Sequence, residues 1–145
     1  MQSKFDELKG IHFLRLLKGE DVIGSIINYC KEKNLTSGTI YGLGAVSKAS
    51  LGYYDLETKI YLENKFEFNA ELLNCTGNIS KNEETGDYIP HLHMIIGDRD
   101  GNTFGGHVMP DTIISVTGEF VIFEMCSTIS RKLDGEFNLF LLNLQ

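Results

Sequence analysis

A chain of 145 residues with 42% hydrophobic content and a formal net charge of -7 carries enough apolar surface for a single folded domain over residues 1–145, burying about two-thirds of what the unfolded chain would expose. Its acidity opposes direct contact with a nucleic-acid backbone, because that affinity depends on clustered Lys and Arg displacing counterions. The stretch from Met1 to Glu7 mixes charges where a leader would be apolar, and no apolar run approaches the roughly 20 residues of a membrane span, so no membrane contact and a cytoplasmic setting are expected.

A first strand is predicted at His12-Phe13-Leu14-Arg15-Leu16-Leu17. Lys18-Gly19-Glu20-Asp21 then opens a helix, with acidic residues at its positive end. Val22, Ile23, Ile26, Ile27 and Cys30 form the i, i+3, i+4 stripe that buries one face of that helix. Lys31 and Lys33 offset the dipole in the last turn, as a solvated helix end, and Asn34 supplies a left-handed cap. After Gly38 the chain turns strand-like: Thr39 to Leu43, Ala49 to Tyr54, Lys59 to Glu63, Ala70 to Ser80, His91 to Gly97, Asn102 to Val108, Thr112 to Glu124 and Phe137 to Asn143. Mostly short connections imply antiparallel neighbours. The fold class is therefore α+β, a mainly antiparallel twisted sheet with one principal helix.

Gly42-Leu43-Gly44-Ala45-Val46-Ser47 superficially resembles a dinucleotide-binding glycine loop but fails on context, since another strand follows where the pyrophosphate-binding helix should begin. These glycines are expected to permit close packing or a bend. Lys81 to Asp87 is a polar surface loop leading into Pro90, either a plain hairpin loop or one that overhangs the strand beginning at His91. The three cysteines, Cys30, Cys75 and Cys126, are widely spaced, odd in number and lack a Cys-x-x-Cys pair, which fits reduced, mostly buried thiols.

His91 and His93 lie two apart on a predicted strand and therefore share a face. Asp98-Arg99-Asp100-Gly101 reads as a turn, and a type I turn over Arg99-Asp100 with Gly101 left-handed pairs Asp98 with Asn102. That register sets His93 opposite His107 and gathers three imidazoles on one side, whereas a one-residue slip sends His107 to the other face. A His-x-His pair alone is more often a half-exposed polar pair than a metal site. A third imidazole changes the chemistry: His91, His93 and His107 with a fourth position open describe a zinc site, and iron, nickel, copper or manganese fit nearly as well. Gly105 and Gly106 before His107 let a ligand or backbone approach, or mark a bulge. His12 stands apart on the first strand, as an ordinary strand-edge histidine or a fourth ligand. Glu71 and Glu119, inside apolar strands, either act on the site from behind the ligands or lie on a solvated face, paired with a residue such as Arg15.

From about Phe13 to Phe123 the chain resembles the plant and prokaryote conserved (PPC) domain. The match rests on Arg15 with Lys18-Gly19-Glu20, Gly42-Leu43-Gly44-Ala45-Val46, Leu51-Gly52-Tyr53-Tyr54-Asp55, Glu71 with Gly77-Asn78-Ile79-Ser80, Pro90-His91-Leu92-His93, Gly97-Asp98-Arg99-Asp100-Gly101, Gly105-Gly106-His107 and Gly118-Glu119. The resemblance implies a stand-alone prokaryotic-type domain assembled as a homotrimer, with a divalent transition metal, zinc first, on His91, His93 and His107. It also implies an architecture similar to acetolactate decarboxylase, which by itself assigns no activity. In plants the domain follows an AT-hook; this sequence contains none, and only Glu71 and Leu73 match the plant partner-binding segment over Phe68 to Leu73. A DNA-binding label by resemblance is thus opposed by the charge.

Two functions of different class are compatible with these residues. One is an oligomeric metal-binding module with a ligand-binding or regulatory role, its possible ligand a small molecule. The other is a metal-dependent enzyme acting on a small carboxylate or carbonyl compound, decarboxylase-like, with Glu71 or Glu119 in proton transfer. The residues alone leave open whether the protein is an enzyme, and on what substrate.

Overall fold

Apolar and polar residues alternate along most of the chain, and in the computed structural model, which describes residues 1–144, these stretches form ten strands around a single helix among the described residues. In chain order they are β1 (Gln2–Asp6), β2 (Ile11–Leu17), α1 (Val22–Lys33), β3 (Gly38–Asp55), β4 (Ile60–Phe66), β5 (Ala70–Asn82), β6 (Tyr88–Gly97), β7 (Thr103–Val108), β8 (Ile113–Glu124), β9 (Ser130–Asp134) and β10 (Leu139–Asn143). The sheet runs β1-β2-β8-β3-β7-β6-β5-β9-β10, with β4 on β3 and a further β3–β5 pairing. The pairings β3–β5, β5–β6, β6–β7 and β7–β3 thus close into a circuit. One pairing is parallel: β9 runs alongside the end of β5. The sheet is therefore mixed, because β9 returns from β8 across the molecule instead of through a hairpin.

The helix forms as its sequence dictates. The Asp21 carboxylate accepts the Gly24 N–H at 2.7 Å, and Asn34 closes the other end in the left-handed conformation, φ 54°. Its buried side is Val22, Ile26, Tyr29 and Cys30, with Ile23 and Ile27 flanking it at partial burial. This side packs on β6 and β8, whose inward residues include Leu92, Met94, Ile96, Phe120 and Ile122, none more than 1% exposed. Burial on this scale stabilises by about 1.5–3 kcal/mol per large apolar side chain. Alternation then sends the odd-numbered residues of β6 to the face away from the helix.

The two strands expected at Thr39 to Leu43 and Ala49 to Tyr54 are one, β3, whose register shifts around Gly42, Gly44, Val46 and Lys48. Gly44 has φ +149°, and a Cβ there would lie 2.1 Å from the Thr117 carbonyl oxygen, so the glycine segment serves close packing within a bulged strand. Strands β1 and β9 were not expected: all five β1 residues are exposed, and β9 buries only Arg131, so neither carries an alternating apolar signal. Cys30 and Cys75 are buried as expected, but Cys126, beyond the end of β8, is exposed.

Candidate metal centre

The hairpin of β6 and β7 takes its register from one side chain. The Asp98 carboxylate accepts the backbone N–H groups of Asp100 and Asn102, both at 2.9 Å, and the Asn102 side-chain amide at 2.8 Å. These bonds, led by that of the Asn102 side chain, hold its carboxyl below the ordinary carboxylate range. The Asp98 N–H donates to the Asn102 carbonyl at 2.9 Å, and Gly101 has φ +86°. Counting back, Gly97 pairs with Thr103 and His93 with His107, the register the turn chemistry predicts. His91 sits across from Asn78 on β5 and His107 across from Gly52 on β3. A Cβ on Gly77 would fall 1.9 Å from the His91 carbonyl oxygen, so only glycine admits the histidine strand at this distance.

The three rings form a nearly equilateral cluster, with centroids 5.2 Å apart for His91 and His93, 5.1 Å for His91 and His107, and 5.4 Å for His93 and His107. Each offers one ring nitrogen within 4.8 Å of the other two. The Nε2 atoms of His91 and His93 are 3.2 Å apart. Burial, reinforced by the charges of His91, His93 and Arg131, pushes His107 down to about 4. Burial, then Arg131 and His93, lowers His91 as well. Both are neutral imidazoles at pH 7, the form that ligates metals.

Two residues that the sequence reading missed complete the site. Arg131, 3% exposed, donates from Nε to Ser80 Oγ, from Nη1 to the Phe140 carbonyl and from Nη2 to Asn78 Oδ1, each at 2.8 Å, and from Nη2 to His91 Nδ1 at 3.3 Å. Arginine only donates, so His91 Nδ1 accepts; the neutral ring then carries its proton on Nε2 and donates it to His93. Tyr61 on β4 stacks on His107 with centroids 4.6 Å apart and planes 28° from parallel. No sequence signal pointed to Arg131, because a non-local parallel pairing brings it in. Beside His91 and His107 lies a cavity of about 170 Å³, lined by Tyr61, Pro90 and Arg131 and by Phe140 and Leu141 of β10.

The donor set fits a divalent transition metal. Two nitrogens bound at about 2.1 Å to one ion stand about 3.4 Å apart at the tetrahedral angle and at most about 4.2 Å. The His91 and His93 nitrogens, 3.2 Å apart, are close to the tetrahedral spacing, and a pair at the 4.8 Å limit would draw in by about 1.4 Å to reach it. His107 Nδ1 is buried with no hydrogen-bond partner, so one polar atom of the cluster lacks a partner that this protein supplies.

The other candidates lie elsewhere. His12 is not a strand-edge histidine: it is 2% exposed, stacked on Phe5, with Tyr29 Oη 2.9 Å from Nδ1 and Glu124 Oε2 3.3 Å from Nε2. These contacts account for both nitrogens without a metal. Glu119 is exposed on a strand position across from Arg15, whose Nε donates instead to Thr117 Oγ1 at 3.3 Å, and it lines a cavity of about 480 Å³ with Phe13 and Leu43. Glu71 is exposed across from Gly97 and lines another, of about 700 Å³. Neither carboxylate borders the cavity beside the histidines. Of the loop expected over Lys81 to Asp87, Lys81 and Asn82 belong to β5, and residues 83–87 are a plain β5–β6 hairpin connection that does not line that cavity either.

Comparison with known proteins adds relatives. The Plants and Prokaryotes Conserved (PCC) domain model matches residues 4–126. The chain is 29% identical over 113 residues to the bifunctional protein GlmU of Synechococcus sp. (strain JA-3-3Ab), a match covering 77% of this chain and 17% of that relative's length. A metal-containing protein from Archaeoglobus fulgidus superposes with a TM-score of 0.83 at 28% identity, covering 98% of this chain and 96% of its own. A candidate DNA-binding protein from Bacteroides thetaiotaomicron gives 0.88 at 26% identity, covering 97% and 96%.

Proposed function

Because the chain belongs to the Plants and Prokaryotes Conserved domain family, we propose that it is a metal-binding module of ligand-binding or regulatory role, with one divalent transition metal, zinc first, held by His91, His93 and His107. The observation that carries this reading is the approach of three ring nitrogens to within 4.8 Å on strands whose register is fixed by hydrogen bonds. The similarity to a metal-containing protein supports it. Such a metal, when bound, keeps a position open for an oxygen or nitrogen donor and polarises what it binds. The module works as a homotrimer in the cytoplasm. Direct contact with DNA is opposed by the net charge of -7, despite the candidate DNA-binding relative.

The cavity beside the histidines favours one further reading, an enzyme acting on a small carboxylate or carbonyl compound with an architecture like that of acetolactate decarboxylase. That reading needs a carboxyl side chain to move a proton, and no described residue lining the cavity supplies one. Elemental analysis of protein purified without an affinity tag tests the metal. One ion per chain is expected, and its loss in His91→Ala, His93→Ala or His107→Ala, with metal-free unfolding free energies within about 1 kcal/mol of the parent. Metal retained by all three variants would overturn the assignment, and global unfolding would make the ion structural.

A further inference from the structure

The cavity of about 170 Å³ beside His91 and His107 has a charge imbalance. Arg131 is 3% exposed, yet each of its partners, Ser80, Asn78, His91 and the Phe140 carbonyl, is neutral. A buried cation without a counter-ion is costly, and among the described residues no carboxylate lines this cavity. A divalent ion on the histidines would add two positive charges to the same space. Arginine also has five N–H donors, of which four meet the acceptors just named. Ligation of His91 through Nε2 leaves its proton on Nδ1, where an arginine N–H finds no acceptor, so a second donor is released. The remaining walls, Ile89, Leu139 and Leu141 among them, are apolar.

We infer that this cavity takes a small monocarboxylate, its carboxylate held between the Arg131 guanidinium and the metal on the histidines and its alkyl end against Ile89 and Leu139. The inference rests on the proposed metal site and names the ligand class of that same site. Charge-assisted and bidentate hydrogen bonding makes arginine selective for carboxylate over an amide of equal shape. A cavity of about 170 Å³ accommodates a short-chain acid such as butyrate.

The test uses the full chain loaded with cobalt(II), cobalt content by elemental analysis, and the visible cobalt spectrum as butyrate or neutral butyramide is added up to about 100 mM. Butyrate is expected to bind at least about tenfold tighter than butyramide, and Arg131→Met to keep cobalt while losing about tenfold in butyrate affinity. Because Arg131 also joins β9 to β5, a second variant, Leu141→Trp, fills the cavity from an exposed position and is expected to keep cobalt and lose butyrate. Cobalt bound with no preference for butyrate, or butyrate affinity unchanged in the folded variants, overturns the inference alone. Failure of the parent protein to take up cobalt overturns the metal site and this inference with it.

Discussion

Burial leaves His91 and His107 neutral at pH 7, so neither ring has an imidazolium proton to lose before it can ligate, although His91 must move its remaining proton from Nε2 to Nδ1 to bind through Nε2. The same physics protects the thiols. Burial pushes Cys30 and Cys75 each up to about 12, and since the thiolate is the reactive form, neither reacts at pH 8 while folded. Cys126 is exposed. A thiol reagent is therefore expected to titrate one cysteine per native chain and three after unfolding; a second fast thiol in the native protein would contradict their protection by burial. His-x-His spacing and turn chemistry made the three histidines legible from the sequence. Arg131 was not, because Ser130-Arg131-Lys132 has the composition of a solvated segment, and three of the four partners of Arg131 lie 40 to 53 residues distant in the chain.

At the scale of elements, the proposed metal centre depends on how closely β5 approaches β6. A Cβ at position 77 would meet the His91 carbonyl oxygen at 1.9 Å, and the next atoms it meets are also β6 backbone, which leaves nothing flexible to yield. Gly77→Ala is expected to cost roughly 3 kcal/mol in chemical denaturation and to weaken metal uptake, since His91 must shift with its strand; an unchanged denaturation midpoint would refute the close approach. The β6–β7 hairpin was legible because a single aspartate sets its turn, and the helix because both caps and its apolar stripe agree. The bend of β3 and the strands β1 and β9 were not. The β3 bend is imposed by partners on either side, and β1 and β9 lack the apolar alternation that marks a strand.

Across the whole molecule, alternation on β2, β8 and β3 turns Phe13, Phe123, Tyr41 and Leu43 outward, each between 43% and 55% exposed. They are bound into one face by the pairing of Phe13 with Val121 and Val121 with Tyr41. Apolar surface of this kind is normally covered, which agrees with the proposed homotrimer. Leu43→Glu is expected to leave the metal-free fold intact and convert the assembly to monomers in sedimentation; an unchanged mass would move the interface elsewhere. This face depends on which strands are neighbours and so became visible only in three dimensions. The closed circuit of β3, β5, β6 and β7 has a further consequence. His93 and His107 are each paired with a strand on either side, so an ion arriving at the proposed site meets two ligands whose backbone is already in place, and its departure is expected to be timed by the turning of side chains instead of the melting of a sheet.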